Sequence, residues 1–160
     1  MIEKWRQFLS EKQKIIDGEH VAECGEPKTI SVEDITFSYE GSEKDSLNGV
    51  SFEIKPCEKV ALVGYNGAGK TTLTNLLLRL YDVKSGSIKI DGRDIREETV
   101  ASHRNRFAAV FQDFQIFSAT VGENVALSKD YDEKRVLEAL KLAGFTKEEA
   151  QEILKYAVVK

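Results

Sequence analysis

Residues 64–72 read Gly64-Tyr65-Asn66-Gly67-Ala68-Gly69-Lys70-Thr71-Thr72. They follow the apolar run Val60-Ala61-Leu62-Val63 and precede a helical stripe of Leu73, Leu76, Leu77 and Leu80. The spacing satisfies Gly-x-x-x-x-Gly-Lys-Ser/Thr, the P-loop pattern, in the strand-before and helix-after context that gives it meaning. The glycines let the backbone turn tightly, so that successive N–H groups can converge on the β- and γ-phosphates of a nucleotide. The N-terminus of the following helix adds positive potential. Lys70 offers an ammonium to the outer phosphates, and the Thr71 hydroxyl is placed to ligate Mg2+. A nucleotide-binding loop is the reading that organises the rest of the chain.

Upstream, Ile2, Trp5, Leu9 and Ile16 recur at helical spacing and predict an amphipathic helix ending near Asp17-Gly18, more a packing face than a docking surface. Residues 17–28 are polar, carry Gly18, Gly25 and Pro27, and read as a linker. Ile30, Val32, Ile35, Phe37 and Tyr39 then make a strand with a phase slip near Glu33-Asp34, which predicts a bulge or bend. The alternation of Val50, Phe52 and Ile54 predicts its antiparallel mate. Val60–Val63 and Phe107–Phe111 are apolar without alternation, as expected of strands buried on both faces in a parallel sheet. Between them lie a short strand at Ser87–Ile90, an Asp91-Gly92 turn and a polar helix around Glu97–Asn105. Downstream, Thr120-x-x-Glu123 and Thr146-x-x-Glu149 have capping-box spacing, and Gly144 closes the helix that carries Val136, Leu137 and Leu140.

Composition excludes several function classes. The chain has 160 residues, 41% of them hydrophobic and 31% charged, values of a globular protein. No run approaches the roughly 18 to 20 apolar residues of a membrane span, and no secretory signal leads the chain. The net charge of −4, from 23 basic and 27 acidic residues, makes no electrostatic case for nucleic acid. Cys24 and Cys57 are outside any Cys-x-x-Cys pair and are expected as reduced thiols. His20 and His103 lie apart from any ligand-like cluster. Arg93, Arg96, Arg104 and Arg106 read as a solvated basic face.

The extended form of the loop, Gly-x-x-Gly-x-Gly-Lys-Thr-Thr, resembles the nucleotide-binding domain of ATP-binding cassette (ABC) transporters. Other features follow in the family's order. Tyr39, in Phe37-Ser38-Tyr39, sits where these domains carry an aromatic that stacks on adenine. Lys55-Pro56-Cys57-Glu58-Lys59 matches the approach to the P-loop, except that Cys57 stands where the pattern has Gly, so a turn needing positive φ would be strained there. Ser85-Gly86-Ser87-Ile88 and Asp91-Gly92 match the segment after the P-loop helix. Gln112 falls at the Q-loop glutamine, near Mg2+ and the attacking water. Phe117 to Val125 resembles the opening of the helical subdomain in exporter-type members.

The resemblance implies an α/β P-loop core, a parallel sheet with helices, plus an antiparallel β subdomain, breaking off within the helical subdomain. Residues 1–28 would be the amphipathic helix and linker. Residues 29–160 would be a partial ATP-binding domain, with the P-loop at 64–72, the Q-loop near 112 and the start of the helical subdomain at 118–160. The implied cofactors are ATP and Mg2+. Gly64, Tyr65, Asn66, Gly67, Ala68, Gly69, Lys70, Thr71 and Thr72 would cradle the phosphates, Tyr39 would hold the base, and Thr71 and Gln112 would hold the metal. Gln112 would also be the catalytic residue of the set. The implied partners are ABC transmembrane domains and a second cassette, homo- or heterodimeric, at the cytoplasmic face of the membrane. The chain has no Gly-Gly dipeptide for a signature motif, no apolar run of four ending in Asp-Glu, and no histidine after His103. It is therefore expected to bind nucleotide without turnover.

Two other readings stay open on the residues alone. One is a small P-loop phosphotransferase, with Asp113 near the metal and the arginine stretch as a lid. Against it, some sixty residues and a strand pair precede the P-loop strand, whereas small kinases usually open with it. The other is a module that binds ATP, or regulates a partner, without catalysis.

Overall fold

The computed structural model describes residues 15–26, 28–111, 115–154 and 156. The chain divides into two compact units, Met1–Ala108 and Ala109–Lys160. The expected N-terminal helix falls almost wholly on residues 1–14, outside the described residues.

In the first unit, β1 (Ile30–Phe37) pairs antiparallel with β2 (Leu47–Ile54) and with β3 (Ser85–Ile90), which pairs in turn with β4 (Arg93–Asp94). The order is β2-β1-β3-β4. The phase slip is a bulge: both ladders shift register across Glu33–Thr36, and Asp34 takes φ 46°. Its physical purpose is visible in burial. Val32 and Ile35 are three residues apart and would face opposite sides of a regular strand, yet both are buried, because the extra residue turns Ile35 back to the core. Gly86 passes the bulge so closely that a Cβ there would stand 2.3 Å from the Glu33 carbonyl oxygen, so only glycine fits. Asp91 and Gly92, at φ 48° and 81°, make the tight turn into β4.

The P-loop helix, α1 (Lys70–Leu77), lays Leu73 and Leu76 on this sheet, against Val32, Ile35, Phe37, Leu47, Ile88, Ile90 and Ile95. Burying one such leucine stabilises by about 1.5–3 kcal/mol. The leucine stripe was expected to run on to Leu80. Instead the helix stops at Leu77, Arg79 turns at φ 51°, and Leu80 is left partly exposed while Arg79 is buried. The Arg79 guanidinium donates to the carbonyls of Glu98 (2.5 Å), Ile16 (2.7 Å) and Arg96 (3.3 Å) and to Asp82 Oδ1 (3.3 Å). It thereby ties the end of α1 to the segment entering the unit and to the short 3-10 turn Ile95–Glu97.

Beyond that turn, α2 (Val100–Arg104) is capped by Thr99 and holds the buried His103. The predicted polar helix over Glu97–Asn105 is thus two pieces, separated where Glu98 and Thr99 are extended. The arginine stretch is not simply solvated. Arg104 donates to the Arg79 carbonyl at 2.7 Å, and Arg106 pairs with the buried carboxylate of Glu98. These donors are drawn inward by acceptors that burial cuts off from water.

The expected parallel sheet is absent among the described residues. Neither Val60–Val63 nor Phe107–Phe111 is a strand, and Val63 and Val110 are 92% and 95% exposed. A run with apolar side chains on both faces needs hydrogen-bonded neighbours at its edges and a layer on each face. No described strand supplies those edges, and without them the runs stay irregular. Only Phe107 packs on the core.

The second unit holds α3 (Val121–Ala126), α4 (Glu133–Leu142) and α5 (Lys147–Ile153), around Val136, Leu140, Ala150 and Leu154. Both capping boxes are formed: Thr120 and Thr146 accept from the N–H groups of Glu123 and Glu149, whose carboxylates reach back. Those backbone bonds, foremost, hold both carboxyls below the usual glutamate range. Gly144, at φ 100°, follows the end of α4 as its spacing predicts.

Candidate functional site

The loop leads into the N-terminus of α1 through two left-handed glycines, Gly67 at φ 86° and Gly69 at φ 85°. Gly69 is required twice. Its φ excludes most side chains, and a Cβ would stand 2.7 Å from the Ser46 carbonyl oxygen. Gly69 is also the N-cap of α1, with no side chain capping the helix and no acidic residue in its first turn. The first N–H groups of a helix lack intrahelical partners. Uncapped, they are free to meet an anion, which the helix dipole favours.

The Lys70 ammonium folds back over the loop and donates to the carbonyls of Gly64 (2.7 Å) and Tyr65 (2.8 Å). It is therefore held against the loop it would serve. Tyr65, Asn66, Ala68 and Thr71 are exposed, with the Ala68 N–H on the Tyr65 carbonyl at 3.2 Å. Thr72 behaves differently from its neighbours. It is buried, and its hydroxyl accepts from the Tyr39 phenol at 3.3 Å. Tyr39 thus touches the last residue of the loop, and its ring meets Phe37 and Tyr81 nearly at right angles.

The structure brings Tyr39 and residues 64–72 together. Gln112, the remaining predicted site residue, lies outside the described residues. The donor chemistry present fits a polyphosphate: uncapped helix N–H groups, a glycine turn and one reachable ammonium. Thr71 presents an exposed hydroxyl beside them, of the kind that can ligate a metal bound to phosphate.

Three nearby residues escaped the sequence reading. Tyr81 had no pattern to mark it. Arg79 had a faint one, a charge next to an apolar stripe. His103 is fully buried, with Nε2 donating to the Leu77 carbonyl at 2.9 Å and Nδ1 lying 3.2 Å from both Arg106 and the Glu98 carboxylate. Burial, foremost, holds it below the ordinary histidine value, against the pull of the Leu77 carbonyl and Glu98 toward the charged ring. It braces the end of α1 through the Leu77 carbonyl. Cys57 shows the strain that its position predicts, at φ 62°.

Residues 47–157 match the profile of the ABC transporter family. The chain is 46% identical over 116 residues to the ATP-dependent lipid A-core flippase of Vibrio parahaemolyticus, covering 71% of this chain and 20% of that protein. It is 35% identical over 138 residues to the flippase of the same name from Escherichia coli K12, covering 85% of this chain and 24% of that one. Among solved structures it resembles a bacterial Atm1-family ABC exporter with ATP bound, with a TM-score of 0.81 and 28% identity over 99% of this chain and 29% of that chain. The chain spans about a fifth to a quarter of the length of the curated relatives it matches.

Proposed function

The chain belongs to the ABC transporter family, in its exporter-type branch, and from that premise we propose that it is the ATP- and Mg2+-binding portion of an ATPase that powers transport across a membrane. One observation carries the reading. An uncapped helix N-terminus, a left-handed glycine and an ammonium held against the loop lie together at residues 64–70, where phosphate would be the complementary ligand.

On binding, the backbone N–H groups of residues 64–72 take the phosphate oxygens. Lys70 exchanges its bonds to the Gly64 and Tyr65 carbonyls for phosphate oxygens, trading neutral acceptors for charged ones. Tyr39 stacks on the adenine. Thr71 and Gln112 would hold Mg2+, which would supply neutralisation of phosphate charge when bound. The cassette portion starts near residue 29, and its partners are transmembrane domains and a second cassette at the cytoplasmic face of the membrane. No described helix is long and apolar enough to cross the membrane itself.

Phosphoryl transfer depends on positioning and charge neutralisation, and this sequence carries neither a Gly-Gly signature nor an apolar run ending in Asp-Glu. The chain alone therefore binds nucleotide without turnover. Phosphate release measured beside light scattering on one preparation tests this. The expected result is no release above that of Lys70→Ala. Steady release from a monomer, abolished by Lys70→Ala, would instead make the chain a complete small P-loop enzyme.

A further inference from the structure

Resting on the reading of Tyr39 as the adenine-stacking ring, we infer that Tyr81 is a positioning residue for the base, holding Tyr39 in its stacking orientation. The three rings form a closed triangle. Tyr39 lies 5.0 Å from Phe37 at 87° and 5.3 Å from Tyr81 at 89°, while Phe37 and Tyr81 lie 5.6 Å apart. Edge-to-face contact is a favoured geometry for aromatic pairs, so each partner resists rotation of Tyr39. The phenol is fixed at its far end by Thr72 Oγ1.

Phe37 is buried in the core and cannot yield. Tyr81 is partly exposed, but its backbone is pinned on both sides. The Leu80 N–H donates to the Asn75 carbonyl at 2.9 Å, Asp82 takes the buried Arg79 guanidinium, and the Lys84 N–H reaches the Thr36 carbonyl at 3.0 Å. The backbone that carries the ring is therefore held in place before a ligand arrives. Beside it lies a cavity of about 550 Å³, lined by Phe37, Tyr39, Leu80, Tyr81 and Val100 among others. Without the Tyr81 ring this space widens, and Tyr39 loses one of the two ring contacts that hold its orientation. Base binding then bears an ordering cost that phosphate binding does not.

The test compares ATP with inorganic tripolyphosphate, each with Mg2+, by calorimetry on the full chain. The worth of one aromatic pair predicts that Tyr81→Ala weakens ATP about two- to twelvefold, with tripolyphosphate changed less than about twofold. Tyr81→Phe keeps the ring and binds ATP like the wild type. Tyr81→Leu, which keeps apolar bulk without a ring, behaves like Tyr81→Ala and guards against a folding defect. Tyr39→Ala serves as the reference, with ATP weakened about five- to 150-fold, the range for base–aromatic stacking. If Tyr39→Ala weakens ATP selectively and Tyr81→Ala does not, Tyr81 has no positioning role and the reading of Tyr39 survives. Equal losses for ATP and tripolyphosphate in Tyr81→Ala would make its role merely structural and overturn the inference. No selective loss in Tyr39→Ala would overturn both.

Discussion

Replacing Arg79 by Met should destabilise the first unit strongly. The side chain is 1% exposed and makes four donor contacts, at 2.5, 2.7, 3.3 and 3.3 Å. Hydrogen bonds from a charged group are worth about 1.5–3 kcal/mol each. Two of the acceptors recover solvation when the arginine leaves, because Ile16 is 81% exposed and Asp82 is partly exposed. The Glu98 carbonyl belongs to a residue only 2% exposed and recovers little. The net cost is about 3–5 kcal/mol, the range for removing one partner of a buried charged set. At 2–4 °C per kcal/mol for a chain of this size, the melting temperature falls by about 6–20 °C. Arg79→Lys keeps the charge but not the fork that reaches three carbonyls, and it should lose at least half as much. Urea titration followed by circular dichroism gives the stability change from the midpoint, with the slope unchanged. A loss below about 1 kcal/mol for Met would mean that the carbonyls are satisfied without Arg79 and would refute the reasoning.

Cys57→Gly should raise stability by about 0.5–1 kcal/mol, since relief of a left-handed side chain exceeds the added freedom of the unfolded chain; a urea midpoint at or below wild type would contradict it. His103 predicts acid sensitivity, because burial holds its folded pKa below the ordinary value near 6.5. The unfolded chain then binds the proton more tightly, so the stability contribution is full above about pH 6.5 and is lost as pH falls through the folded pKa. Its surroundings, the Leu77 carbonyl, Glu98, Arg106 and the Phe107 ring, include no group that reverses this direction. Melting temperatures measured from pH 7.5 down to 5 should fall for the wild type and stay flatter for His103→Gln, and equal slopes would remove His103 as the cause. Thr120→Ala should cost the second unit about 0.5–2 kcal/mol by opening its capping box, read as a loss of helical signal on heating; no loss would show the cap to be dispensable.

What was legible in the sequence was local. The bulge at Glu33-Asp34 showed as a broken alternation, the two capping boxes as Thr-x-x-Glu, and the strain at Cys57 as a side chain where a turn asks for glycine. The loop itself showed because phosphate binding demands particular residue types at fixed spacing. Tyr39 and Thr72 were both singled out, but their mutual hydrogen bond was not, since it joins residues 33 apart in the chain. The parallel sheet was expected from two apolar runs, yet a run records only that its faces are apolar. Whether it becomes a strand depends on neighbours that no window of sequence contains. Arg79 was hidden for a related reason. Its burial follows from the left-handed turn that ends α1 three residues short of Leu80, and the helical stripe through Leu80 gave no sign of that turn.

The proposed function requires that residues 64–72 bind the phosphates of ATP, with Lys70 as their charged partner. Calorimetry of Mg-ATP with the wild type and Lys70→Ala tests it most directly. Among the described residues the Lys70 ammonium bonds to the carbonyls of its own loop, so the substitution should leave the melting temperature nearly unchanged. Loss of its charged contact, worth about 1.5–3 kcal/mol, should weaken ATP at least about tenfold. Equal affinity in the two proteins, both folded, would contradict the assignment of this loop as the nucleotide site.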